Sequence, residues 1–217
     1  IPPRTALELV LDLSGSMLAP ASPGGVARLE VLKEAVEIFC QLYASFAGPG
    51  DRLGVVFFGS QPSVFSLGGE TLVPVTDDDV ASIVQAVNAR QTSPAEMTAM
   101  GGALSGAIGE LSGAAATGAA ARHVVLFTDG MQNVAPLASP PPPPLAIATV
   151  PPTPLDTGLG IAIHTIGVGA ASPFVALLSD IAAETGGTTN ITIAADEDLR
   201  AFFVETLVEA LKGNSPQ

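Results

Sequence analysis

The chain has 217 residues, 47% of them hydrophobic, and a chain of that length buries roughly 70% of the surface its unfolded form exposes, enough for one substantial globular domain. Its 8 basic against 21 acidic residues give a formal net charge of -13, which speaks against nucleic acid and anionic membrane as partners. A single cysteine, Cys40, excludes an internal disulfide and any multi-cysteine zinc site; no window approaches the ~20 uninterrupted apolar residues of a membrane-spanning helix, so no direct membrane insertion is expected.

High Ala, Gly and Pro content without Trp fits a GC-rich bacterial coding bias. Numbering that opens at Ile1, with neither an initiator methionine nor a signal-like stretch, leads to the expectation of an excised domain or a processed part of a longer chain.

Ala6 to Leu11 (ALELVL) is a short, mostly apolar run of the kind that forms a strand covered on both faces of a parallel sheet, and it ends at Asp12. From Arg28 to Ala47 the residues Leu29, Leu32, Val36, Phe39 and Tyr43 recur at steps of three and four, while Glu30, Lys33, Glu34 and Glu37 take the other side. That pattern predicts an amphipathic helix, with Cys40 as a buried core thiol. GPGD stops it, and RLGVVFFG (Arg52 to Gly59) reads as a second buried strand. Two short extended pieces, SVFSL and ETLVPV, flank Gly68 and Gly69 and predict a hairpin-like edge of the sheet.

Asp77 to Asp79 open a helix; three acids suit its dipole, and no spaced ligand series follows that would make them a calcium loop. Thr98 to Leu111 is a further helix, in which Gly101, Gly102, Ala103, Gly106 and Gly109 give up helix propensity for close packing on a sheet. RHVVLFTDG (Arg122 to Gly130) repeats the first pattern of apolar strand, carboxylate and turn, and IAIHTIGVG (Ile161 to Gly169) is another strand. Helix Pro173 to Glu184, strand Thr188 to Ile193 and helix Asp196 to Lys212 complete an alternation that predicts an α/β sandwich with a mainly parallel sheet. Residues 134–160 break the rhythm: their prolines remove amide donors and predict a long irregular or polyproline-type excursion instead of a helix. The five-proline run within it reads as a surface loop before it reads as a ligand for aromatic grooves.

The stretch LVLDLSGSM (Leu9 to Met17) joins a buried run directly to Asp12, Ser14 and Ser16. Ligands of open parallel sheets bind at the carboxyl ends of strands, where strand order reverses, and both Asp12 and Asp129 end strands there. If those strands are neighbours, the two carboxylates face one crevice with Ser14, Ser16 and Thr98. Such an all-oxygen set suits magnesium or manganese, with calcium as an alternative, and does not suit zinc or copper. Each residue also has a plainer role: Ser14 and Ser16 cap and turn, Asp129 turns with Gly130, and Thr98 caps a helix. His123 and His164 lie in apolar strands and read as core-edge or surface residues, not catalysts.

These motifs carry a family resemblance. DLSGSM resembles the Asp-x-Ser-x-Ser pattern, TAMGGAL (Thr98 to Leu104) the threonine loop and following helix, and FTDG the second aspartate of the von Willebrand factor type A domain. RLEVLKEAV, GDRLGVVFFG and IHTIGVG resemble that family's intervening helix and strands, so the similarity covers nearly the whole chain. The resemblance implies one domain over 1–217, bacterial in type. Its fold would be a Rossmann-like, doubly wound, mainly parallel six-stranded sheet of order 3-2-1-4-5-6, with a short antiparallel edge strand and helices on both faces.

It further implies a metal-ion-dependent adhesion site. By matched motif, Ser14, Ser16 and Thr98 are hydroxyl ligands, with Asp12 and Asp129 bound directly or through water. One coordination position is left for an Asp or Glu carboxylate from a protein partner, and Met17, Glu96, Gly130 and Met131 form the rim that meets it. Two departures stand out: SPAEM precedes Thr98 where many relatives have glycines, which brings Glu96 toward the ion, and the proline-rich excursion replaces the helix that usually precedes the fifth strand.

The implied function is a noncatalytic protein-binding module, at the cell surface or outside the cell in preference to the cytoplasm. The alternative is a structural or assembly domain with a vestigial metal site. A metal-dependent hydrolase is disfavoured, because the chain has no Gly-x-Ser-x-Gly, His-Glu-x-x-His or Gly-x-x-x-x-Gly-Lys-Ser/Thr motif, and Asp12-x-Ser14 lacks the second aspartate of Asp-x-Asp phosphatases. Switching of the last helix, known in some relatives, is a further expectation.

Overall fold

A computed structural model of the chain describes residues 4–22, 24–139, 145–148, 153–168 and 172–192, together with 201, 204 and 205. The five-proline run and most of the helix expected from Asp196 to Lys212, with its switching, lie outside the described residues.

Strand β1 (Thr5–Asp12) is buried along its whole length, as its apolar run demands. It pairs in parallel with β2 (Arg52–Phe58) on one side and β5 (Ala121–Thr128) on the other. β5 pairs in parallel with β9 (Ile161–Val168), and β9 with β10 (Thr189–Thr192). With the antiparallel β3 (Pro62–Val64) beyond β2, the sheet runs β10-β9-β5-β1-β2-β3. Counted along these principal strands this is the expected order 3-2-1-4-5-6. A seventh strand, β4 (Val73–Pro74), also pairs with β2.

The strand period of two sorts side chains onto two faces. Leu7, Leu9, Leu11, Val55, Phe57, Val125 and Phe127 pack with α1 (Arg28–Phe46) and α2 (Asp77–Asn88). Ala6, Val10, Val56, Phe58, Val124 and Leu126 pack with α3 (Met100–Ser112) and α4 (Ser172–Thr185). Cys40 is buried in the first cluster, and burial pushes its thiol up to about 12. Asp51, from GPGD, closes the turn after α1 by accepting from the amides of Thr5 and Gly48 at 2.7 and 2.8 Å. The acids that open α2 are explained by capping: Thr76 accepts from the Asp79 amide at 3.2 Å and donates to its carboxylate at 2.7 Å.

Three expectations are corrected. The pieces around Gly68 and Gly69 bridge only at Leu67 and Glu70, then part. β3 takes Val56 to Phe58 and β4 takes Arg52 and Leu53, because the open edge of β2 offers backbone partners to both. The proline-rich excursion is not irregular throughout: β6 (Ala138–Ser139), β7 (Ala146–Ile147) and β8 (Thr153–Pro154) form a small antiparallel sheet. Ala138, Leu145, Ile147 and Leu155 are buried in the α3 and α4 cluster, so apolar residues between the prolines anchor the segment, and Pro154 falls on an edge strand, where its missing amide is tolerated. Finally, α3 begins at Met100 behind Ala99 with no side-chain cap, so Thr98 is not its N-cap.

Candidate metal centre

The chain reverses direction across the sheet between β1 and β5, and the functional side chains gather at the carboxyl ends of those two strands. Register aligns Leu11 with Phe127, which brings Thr128 alongside Asp12. The Thr128 hydroxyl donates to Asp12 Oδ2 at 2.6 Å, and the Ser14 amide donates to Asp12 Oδ1 at 2.7 Å. Ser14 Oγ and Ser16 Oγ lie 3.0 Å apart, and Ser16 Oγ donates to Asp129 Oδ1 at 2.6 Å. The Ser14 amide thus ties the serine loop to Asp12, and the paired Ser14 and Ser16 hydroxyls tie it to Asp129.

Close backbone approach holds the loops that carry them. Gly15 donates its amide to the Glu96 carbonyl at 2.9 Å, and a Cβ on Gly15 would stand 2.6 Å from the Pro94 carbonyl oxygen. Only glycine admits that contact between the serine loop and the loop before Thr98. Thr98 is tied in turn to the third loop: its amide donates to Asn133 Oδ1 at 2.7 Å and its carbonyl accepts from the Asn133 amide at 3.1 Å. Its hydroxyl makes no hydrogen bond to the described residues, whereas both Asp129 oxygens are engaged, Oδ2 by Arg28 Nη1 at 2.7 Å.

Burial pushes the Asp12 carboxyl up to about 6, against the lowering effect of the Thr128 and Ser14 hydrogen bonds. A cation beside it would reverse that penalty. The oxygens of Asp12, Ser14, Ser16 and Asp129 are of the kind a hard ion takes, and Thr98 stands on the loop bonded to Gly15 through Glu96.

The rim differs from expectation. Met17 is fully buried in the α1 face of the core and cannot meet a partner; its neighbour Leu18 is exposed instead. Met131 is exposed, as is Met97, and Gly130 is partly so. The Glu96 carboxylate accepts from the Ser60 amide at 2.8 Å, which holds it below the usual carboxylate range, so it is turned toward the end of β2 and not toward Asp12. Glu96 and Leu13 border a cleft of about 390 Å³ at the end of β2, lined by none of the five candidate ligands, with the Arg90 guanidinium 4.1 Å over the Phe57 ring.

Thr128, Arg28, Asn133 and Gly15 were not singled out as site residues by sequence. Thr128 and Gly15 lie inside the motifs, but nothing in their spacing marks them. Arg28 looks like an ordinary first residue of an amphipathic helix.

Fold and site together define a doubly wound α/β protein with a polar, oxygen-rich constellation at the switch point of its sheet. The chain belongs to the von Willebrand factor type A domain family, whose sequence profile matches residues 7–132, more than half of it. Among solved structures it is similar to a von Willebrand factor type A protein from Catenulispora acidiphila, at 21% identity over 96% of this chain and 43% of that one, with a TM-score of 0.70. It is similar also to the pilus adhesin SpaC of Lactobacillus rhamnosus GG, at 15% identity over 98% of this chain and 31% of that one, TM-score 0.74. The PilB minor pilin of Streptococcus sanguinis matches at 15% identity over 99% of this chain and 63% of that one, TM-score 0.70. At these identities the likeness is one of fold, and the chain spans less than two thirds of each of these structures. No curated protein matches it.

Proposed function

We propose that this domain is a noncatalytic protein-binding module with a metal-ion-dependent adhesion site. Asp12, Ser14, Ser16, Thr98 and Asp129 would hold magnesium or manganese, and the ion would present one position to an Asp or Glu carboxylate of a partner protein. The observation that supports this reading is the serine loop bonded to both aspartates, to Asp12 by the Ser14 amide and to Asp129 by the Ser16 hydroxyl, at a switch point with Asp12 desolvated. Leu18, Met97 and Met131 add exposed apolar surface from the three loops that bear the donors, suited to the flanks of an acidic residue on a folded partner. The pilus adhesin and minor pilin among the similar folds support a role in adhesion or surface assembly, and with it a place outside the cell or at its surface. No described helix is long and apolar enough to cross a membrane.

The test is calorimetric titration of magnesium and manganese into chelator-stripped protein, for the wild type and for Asp12→Ala, with circular dichroism to verify folding. Expected is micromolar-to-millimolar binding that acetate tightens and that the variant loses while remaining folded. Undiminished binding by Asp12→Ala would sink the assigned site. Absence of binding by the wild type would leave the assembly reading, with an interface elsewhere.

A further inference from the structure

Asp129 is held by a cation that the protein itself supplies. Its carboxylate is fully buried, Oδ1 accepts from Ser16 and Oδ2 accepts from Arg28 Nη1 at 2.7 Å. Of the ion pairs among the described residues, Lys33 with Glu30 and Arg52 with Glu70 involve exposed carboxylates, and only this one sits in the candidate site. Arg28 is fixed from its own backbone as well: as first residue of α1 it donates its amide to the Ala19 carbonyl at 3.0 Å, one turn beyond Ser16. Its side chain is about three-quarters buried, and among the described residues its buried Nε has no hydrogen-bond partner, so the ion pair to Asp129 is its one charged contact there.

We infer that Arg28 is a resident counter-charge to Asp129 that makes retention of the cation depend on the partner's carboxylate. The inference rests on the cation-binding reading above. With Asp12, Asp129 and Arg28 all charged, the site carries a single net negative charge. A divalent ion would turn that into a net positive charge, which repels the nearby guanidinium and attracts an incoming carboxylate. Were Arg28 neutral, the two aspartates would balance the ion, so the ion would bind more tightly alone and have less need of an acid from outside. Arg28 is thus a positioning and charge-setting residue whose effect is coupling between ion and partner.

The experiment is manganese titration of chelator-stripped protein, with and without acetate, for wild type, Arg28→Gln, Arg28→Met and Arg28→Lys. Arg28→Met keeps the apolar stem without a buried polar head and serves if Arg28→Gln does not fold. Expected is about tenfold tighter manganese binding by the neutral variants without acetate, since removal of a nearby positive charge favours the ion, together with loss of most of the tightening by acetate and wild-type coupling in Arg28→Lys. If the wild type binds manganese and the neutral variants match it, or bind more weakly, the role given to Arg28 is wrong while the site stands. If folded wild type and neutral variants all fail to bind, the site itself is wrong and this inference falls with it.

Discussion

Glu8, at the centre of β1, is fully buried beside Gly54 of β2, and the Cβ that Gly54 lacks would occupy the space filled by the Glu8 carboxyl group. Among the described residues neither Glu8 oxygen has a hydrogen-bond partner. Burial, reinforced by the Glu110 carboxylate, pushes its pKa well above the ordinary value of 4.5. The folded protein therefore keeps a proton that the unfolded chain releases. Stability from this group is greatest below the unfolded pKa and drains as pH rises toward the folded one. Thermal melts from mildly acid to alkaline pH should show Tm falling with pH in the wild type and a flatter profile in Glu8→Gln; parallel profiles would show that Glu8 is not the group responsible.

His123 and His164 form a buried pair, Nδ1 of the first and Nε2 of the second 3.1 Å apart, and Thr188 Oγ1 lies 3.0 Å from His164 Nδ1. Burial, and then His164, lower the His123 pKa from 6.5 to about 4. Here the folded state refuses a proton that the unfolded chain accepts, so stability is intact above pH 6.5 and is lost as pH falls toward 4, by about 3 kcal/mol at the end of that window. His123→Gln should lower stability at neutral pH yet lose less on acidification. Equal acid-side losses in both proteins would refute the assignment.

The glycines of α3 are not equivalent. A Cβ on Gly101 would collide with the Pro136 carbonyl, and one on Gly109 would meet nothing within 4 Å. Gly101→Ala should destabilise by about 1–3 kcal/mol, as overpacking against backbone does. Gly109→Ala should instead stabilise by roughly 0.5–1 kcal/mol through helix propensity. Urea midpoints of the two variants on opposite sides of the wild type are the expected result.

Thr128 orients Asp12. Replacing its hydroxyl in Thr128→Val removes a charge-assisted bond of 2.6 Å from the buried carboxylate, which should cost about 1.5–3 kcal/mol of stability. On the cation-binding reading it should also weaken manganese binding on the order of tenfold, as loss of an orienting hydrogen bond behind a ligand does. Thr128→Ser should restore both; affinity that stays at the wild-type level in folded Thr128→Val would show that Asp12 needs no such support.

Much of this molecule was legible in its sequence because apolar period reports local structure. The runs of β1, β2, β5 and β9 and the three-and-four spacing of α1 are within a residue or two of their observed bounds. Asp12, Ser14, Ser16 and Asp129 could be grouped because strand ends at a switch point converge. Met17 is not legible in this way, since an apolar residue just past a polar loop looks the same in sequence whether it turns inward or outward; the turn at Gly15–Leu18 buries Met17 and exposes Leu18. The α3 glycines were legible as a request for close approach, but Gly101 meets the Pro136 segment of the excursion and not the sheet.

By itself, then, the sequence determined the order of elements, the parallel wound sheet and the oxygen-bearing residues at its carboxyl edge, since each is written in spacings of a few residues. Only the tertiary structure decided that Arg28 neutralises Asp129 across 101 positions, that Ser16 reaches the same carboxylate across 113, and that His123 meets His164 across 41. Such pairs depend on strand register and on how each loop folds over the sheet edge. Those are settled by packing the whole core, which no local spacing records.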